Sequence, residues 1–178
     1  KGIPYIKHFG TEIMSELSKS HKAKFYSDFS YSSSCDALIL CVPTPLSLYR
    51  EPEMKYVIES TNSIAKYLRK DQLIILESTT YPGTMSELVV PILENSGLKA
   101  GNDFYVAYSP EREDPGNKDF NTSSIPKVVG GYSNDCLELA LSLYNTCIEK
   151  LVPVSDTKTA EAVKITENIF RAVNIALV

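Results

Sequence analysis

Lys164 and Asn168 stand four residues apart in an amphipathic stretch near the carboxyl end, so on a helix both side chains project from one face. A cation and an amide placed together can donate hydrogen bonds to a developing alkoxide or oxyanion. A second chemical segment, residues 109–117, reads Ser-Pro-Glu-Arg-Glu-Asp-Pro-Gly-Asn and directly follows the apolar run Phe104-Tyr105-Val106-Ala107. Two prolines and a glycine stop any strand or helix there, which presents Glu111, Arg112, Glu113 and Asp114 on irregular backbone. The end of a strand is where open α/β sheets bind ligands. A third segment, Glu77-Ser78-Thr79-Thr80-Tyr81-Pro82-Gly83-Thr84, clusters hydroxyls before a helix, whose first N–H groups can meet an anion or a carbonyl. The same threonines can cap that helix. In a fourth, Leu38-Ile39-Leu40-Cys41-Val42-Pro43-Thr44-Pro45, a buried strand is stopped by two prolines that would hold the chain open for a cofactor to lie across. Cys41 has no base placed beside it by sequence and reads as a small core hydrophobe.

Positioning these segments requires a regular frame. Apolar runs bounded by turn residues alternate with amphipathic ones, the pattern of repeated βα units and a parallel sheet. Strands are expected near 37–42, 72–77, 103–108, 127–130 and 150–154, with a short one around 23–26. Helices are expected over 11–19, 53–68, 84–95 and 134–148. Asp156 or Thr157 caps a last helix running to residue 178. The economical division is one α/β domain over 1–155 and the start of a connecting helix over 156–178. Both ends look cut: Lys1-Gly2-Ile3-Pro4 follows no strand that could begin a doubly wound sheet, and the last helix has no stop signal.

Composition narrows the function. With 178 residues and 43% hydrophobic content the chain can bury a sizeable core. A formal net charge of -4 with interspersed Lys and Glu argues against nucleic acid as a partner. No apolar run approaches the roughly 20 residues that span a bilayer, and no secretory signal opens the chain, so no membrane is expected and a cytoplasmic location is. Cys35, Cys41, Cys136 and Cys147 lack paired spacing and read as buried thiols, and with only His8 and His21 no metal cluster is expected.

Taken in order, Val42-Pro43-Thr44-Pro45, the 77–84 segment, the 109–117 loop, Pro126-Lys127-Val128-Val129-Gly130-Gly131, and Lys164 through Asn168 with Phe170-Arg171-Ala172-Val173-Asn174 resemble the nucleotide-sugar 6-dehydrogenases, across essentially the whole chain. The 109–117 loop looks like the UDP-N-acetylglucosamine branch, since UDP-glucose enzymes usually show Pro-Glu-Phe-Leu there. The resemblance implies a Rossmann-like, doubly wound, mostly parallel sheet lacking its first βαβ unit, followed by the start of a long central helix. It implies NAD as cofactor and two successive hydride removals from C6 of a UDP-N-acetylhexosamine. Val42, Pro43, Thr44 and Thr79 would border NAD. Thr79 and Glu111 would position the water or proton relay near C6. Lys164 and Asn168 would stabilise charge on the reacting oxygen, and Arg112 would help close the loop over the substrate. Homo-oligomers through the central helix are the family's habit.

The departures are as informative. The family's Gly-rich pyrophosphate cradle and its catalytic Cys segment are not found in these residues, and none of the four cysteines matches the latter. An incomplete piece, inactive alone, is therefore expected. The alternatives are a non-catalytic nucleotide-sugar or partner-binding module, and a dehydrogenase acting on UDP-glucose, UDP-N-acetylmannosamine or a small β-hydroxyacid.

Overall fold

The computed structural model describes residues 11–20, 22–49, 51–111 and 125–178. Two compact units divide the chain, Lys1–Tyr31 and Ser32–Val178. The first carries helix α1 (Thr11–Lys19), and in it the rings of Tyr26 and Tyr31 stack at 3.8 Å. The strand expected at 23–26 does not form: the segment joins no ladder, and Phe25 and Tyr26 are exposed. Aromatic residues favour extended backbone, but a strand exists only where a neighbour receives its N–H and C=O groups.

The second unit alternates strands and helices: β1 (Ala37–Leu40), α2 (Lys55–Ala65), β2 (Leu73–Leu76), a π-helical turn (Met85–Val89) running into α3 (Val90–Glu94), β3 (Tyr105–Tyr108), β4 (Lys127–Gly131), α4 (Asn134–Tyr144), β5 (Leu151–Val154) and α5 (Thr157–Leu177). The five strands form one sheet in the order β1-β2-β3-β4-β5. β1, β2 and β3 are parallel, with Leu40 opposite Leu76 and Leu76 opposite Tyr108, so their carboxyl ends lie level. β4 reverses against β3, pairing Tyr108 with Gly130, and β5 runs parallel to β4.

The sheet is covered on both faces, which is why its central strand reads as an unbroken apolar run: Leu73, Ile74, Ile75 and Leu76 are all buried. Alternate residues serve opposite faces. Ile74, Leu76, Val106, Tyr108 and Val128 pack with Val57 and Ile64 of α2, Leu93 of α3 and Ala160 of α5. Leu73, Ile75, Ala107 and Val129 pack with Ala140 and Tyr144 of α4. Each fully buried Ile or Leu contributes about 1.5–3 kcal/mol, so the sheet centre is the rigid part of the frame.

Two local features set where α5 lies. Asp156 caps it, accepting from the Thr159 N–H at 2.7 Å. Gly130 lets it approach β4, because a Cβ there would sit 2.3 Å from the Asp156 carbonyl oxygen. The first turns of α5 are accordingly buried at Thr157, Ala160 and Glu161, while Ile169, Phe170, Val173 and Leu177 further along are exposed.

The thiols depart from expectation. Cys136 alone is buried; Cys35, Cys41 and Cys147 are exposed. Cys35 precedes β1, Cys41 lies one residue past its end, and Cys147 follows the end of α4, so none of the three sits in the packed part of an element.

Candidate functional site

At the level carboxyl ends of β1, β2 and β3 the following loops border an open cavity of about 440 Å³, lined by Cys41, Val42, Pro43, Thr44, Glu77, Ser78, Thr79 and Glu111. The loops after β1 and β2 are laced together. Ser78 Oγ accepts from the Val42 N–H at 2.9 Å and donates to the Val42 carbonyl at 2.6 Å, and Thr44 Oγ1 donates to the Thr79 carbonyl at 2.8 Å. Tyr108 at the end of β3 donates its hydroxyl to the Ser78 carbonyl at 3.1 Å. Buried Ser78 is thus the tie between three strand ends, which holds Val42, Pro43 and Thr44 in one wall and leaves the Thr79 side chain exposed at the rim.

Lys164 reaches the same place from α5, donating its ammonium to the Glu111 carbonyl. Of the positions singled out in the sequence, Val42, Pro43, Thr44, Thr79, Glu111 and Lys164 therefore converge. Asn168, one turn beyond Lys164, is exposed and does not line the cavity. Arg112 lies outside the described residues.

Five side chains absent from the sequence-based site residues complete the site: Lys127, Glu77, Tyr144, Cys41 and Glu161. Lys127, at the start of β4, lies 2.9 Å from Glu77 Oε1 and 3.8 Å from Glu111 Oε2. The β4 reversal explains this: continuing its antiparallel register past the Tyr108–Gly130 pair carries Lys127 to the level of Glu111. Tyr144 of α4 donates its hydroxyl to Glu77 Oε1, and Cys41 Sγ approaches Glu77 Oε2 at 3.6 Å. Loss of solvent comes first, around a Cys41 sulfur that is half-enclosed although the residue as a whole is exposed and around the buried Tyr144 ring, and the nearby Glu77 charge second; they push the Cys41 thiol up to about 11 and the Tyr144 phenol up as well, so both remain protonated donors at neutral pH. Glu161 of α5 accepts from Gly83 N–H at 2.6 Å and Met85 N–H at 2.8 Å, closing the start of the helix after β2. A lysine opening an apolar strand, and a glutamate three residues before Lys164 on the same helix, were the available signals for two of these.

Chemically the cavity offers an apolar wall, hydroxyls at the rim, the carboxylates of Glu77 and Glu111 in its lining and two ammonium groups beside them. That set can hold a flat ring, accept a proton and stabilise an oxyanion. Comparison with known proteins agrees in kind. A profile described as UDP-glucose/GDP-mannose dehydrogenase family, NAD binding domain, matches residues 2–148. UDP-N-acetyl-D-glucosamine 6-dehydrogenase of Pseudomonas aeruginosa is 39% identical over 165 residues, covering 92% of this chain and 39% of that protein. UDP-N-acetyl-D-mannosamine dehydrogenase of Pyrococcus horikoshii is 39% identical over 143 residues, 80% of this chain and 34% of that one. The solved structure of the UDP-N-acetyl-mannosamine dehydrogenase Cap5O from Staphylococcus aureus superposes with a TM-score of 0.88 at 34% identity, over 99% of this chain and 42% of the other. The chain thus spans about two fifths of the length of these relatives. Because the match runs through the sheet and the loops that wall the cavity, the chain belongs to the UDP-glucose/GDP-mannose dehydrogenase family, and the segment matched is the NAD-binding domain.

Proposed function

We propose that the protein carrying this chain oxidises C6 of a UDP-N-acetylhexosamine, UDP-N-acetylglucosamine before its epimers, from alcohol through aldehyde to uronate. The observation that carries this reading is the meeting of Glu111 and Lys164 beside a cavity walled by Val42, Pro43 and Thr44. Those walls fit the nicotinamide side of NAD: Val42 and Pro43 offer an apolar face, and Thr44 and Thr79 edge it with hydroxyl and carbonyl groups. NAD, when bound, supplies the acceptor for the hydride leaving C6, once for each of the two oxidations, so two are used per sugar.

The chain's own residues supply part of the remaining chemistry, the family's catalytic Cys segment not being among them. Glu111 takes the proton from the C6 hydroxyl as the hydride leaves and passes it on to a water positioned with Thr79, which returns the carboxylate to its base form for the second oxidation. The Lys164 ammonium, held in place by the Glu111 carbonyl, stabilises the negative oxygen that develops at C6, and the Asn168 amide shares that task once the substrate lies against α5. Arg112 adds a forked donor for the substrate's anionic groups. Cys41 is unsuited to covalent catalysis, since its thiol, pushed up to about 11, is not ionised at neutral pH. Residues 156–178 begin the helix through which copies associate, a role supported by the exposed apolar side chains of Ile169, Phe170, Val173 and Leu177. Among the described residues no helix is long and apolar enough to cross a membrane, and a cytoplasmic site of action completes the proposal.

The test is NADH formation by the protein carrying this chain with each UDP-sugar offered. Two NADH per UDP-N-acetylglucosamine, abolished by Glu111→Gln without loss of NAD binding, is the expected result. Equal turnover of UDP-glucose, or turnover that survives Glu111→Gln, refutes the assignment.

A further inference from the structure

Lys127 has no part in the reading above, yet it is among the most enclosed charges of the described residues. Its side chain is 8% exposed, against 13% for Glu77 and 44% for Glu111. Besides its two carboxylate neighbours, its ammonium lies 4.9 Å from the centre of the Tyr144 ring. An ammonium so enclosed needs negative charge nearby, and Glu77 supplies it at 2.9 Å. Glu77 is itself fixed by the Tyr144 hydroxyl and the Cys41 thiol, so it cannot turn away. Both carboxylates line the cavity, and Glu111, at 3.8 Å, is the more exposed of the two.

We infer that Lys127 is a positioning residue: its ammonium is shared between Glu77, which is locked, and Glu111, and it directs the Glu111 carboxylate toward the cavity. This rests on the assignment of Glu111 as proton acceptor. Glu77 acts as a counterweight. It takes up part of the Lys127 charge and, being negative itself, opposes the ionisation of Glu111 through space. Removing one or the other charge therefore moves Glu111 in opposite senses. Other groups act on Glu111 from the surrounding elements: Lys164 from α5 at the main-chain carbonyl and the protonated Cys41 thiol from the loop after β1, while the Tyr144 phenol from α4 is engaged by Glu77. None of these side chains is replaced in the variants used, and Cys41 and Tyr144 are protonated at neutral pH in the native protein.

The measurement is the carboxyl carbon titration of Glu111 by NMR in the whole protein carrying this chain, labelled at glutamate, with the resonance assigned by Glu111→Gln. Lys127→Met is expected to make Glu111 bind its proton about tenfold more tightly, and Glu77→Gln about tenfold more weakly, the lower end of the effect of one charge at this range. The double variant returns it toward the native value. Shifts of one sign in both single variants, or no shift in either, overturn the proposal, since general loosening of the fold has no reason to act with opposite signs. If Lys127→Met does not fold, Glu77→Gln alone decides: a weaker proton affinity supports the proposal and an unchanged or tighter one refutes it. In the enzyme, the acid limb of kcat/KM moves in the same senses. Should no UDP-sugar be turned over while the NMR shifts hold, the proposed function fails and the positioning role stands.

Discussion

Glu161→Ala tests the frame that brings α5 to the cavity. Glu161 is fully buried, and its two oxygens accept from Gly83 N–H at 2.6 Å and Met85 N–H at 2.8 Å. Alanine leaves both donors without a partner in a dry site, at about 1–3 kcal/mol each. Part of this is offset, because burial pushes the Glu161 carboxyl above its ordinary range and the variant no longer encloses a charge. A net loss of about 2–4 kcal/mol is expected, and at about 2–4 °C per kcal/mol for a chain of this size the midpoint falls by about 5–15 °C. Thermal unfolding followed by circular dichroism measures it, and amide exchange should quicken at Gly83 and Met85 before Val106 in the sheet centre. A variant that melts within about 2 °C of the parent, a change under about 1 kcal/mol, refutes the clamp. The pH dependence has a defined sign. A carboxyl whose folded value is raised contributes stability that is complete below its unfolded value near 4.5 and is lost as pH rises through the folded value. The stability advantage of the parent over Glu161→Gln should therefore shrink as pH rises above 4.5.

Lys164→Ala should lower kcat about 10²–10³-fold while NAD binding barely changes, because its charge is engaged as the oxyanion develops; equal losses in both count against that role. Gly130→Ala forces a Cβ to within 2.3 Å of the Asp156 carbonyl oxygen, and urea unfolding should show a loss of about 1–3 kcal/mol as α5 is pushed from β4. Alkylation of Cys41 by iodoacetamide, followed by mass spectrometry, should be slow at neutral pH and rise toward about 11, and Glu77→Gln should bring that rise to lower pH. A Cys41 rate that is already maximal at neutral pH excludes the proposed environment.

The five strands of the second unit, the helices between them and the Asp156 cap were legible in the sequence because each depends on residues close in the chain. An apolar run such as 73–76 needs burial on two faces, a 3.6-residue period needs one, and an aspartate before a helix finds its N–H three residues on. The loops carrying Thr44, Thr79 and Glu111 were legible for the same reason, as prolines and hydroxyls placed at strand ends. The failed strand at 23–26 marks the limit, since the same local preference found no neighbour to pair with. What joins Lys127 to Glu77 and Glu111, and Glu161 to Gly83, is written in no local pattern. Those partners are 50, 16 and 78 residues apart, and they meet because β4 runs antiparallel to β3 and because Gly130 lets α5 settle on the sheet. Strand direction and helix docking are decided by whole-molecule packing, so the chemical environment of the cavity, including a Cys41 thiol that looked like core, exists only in the folded chain.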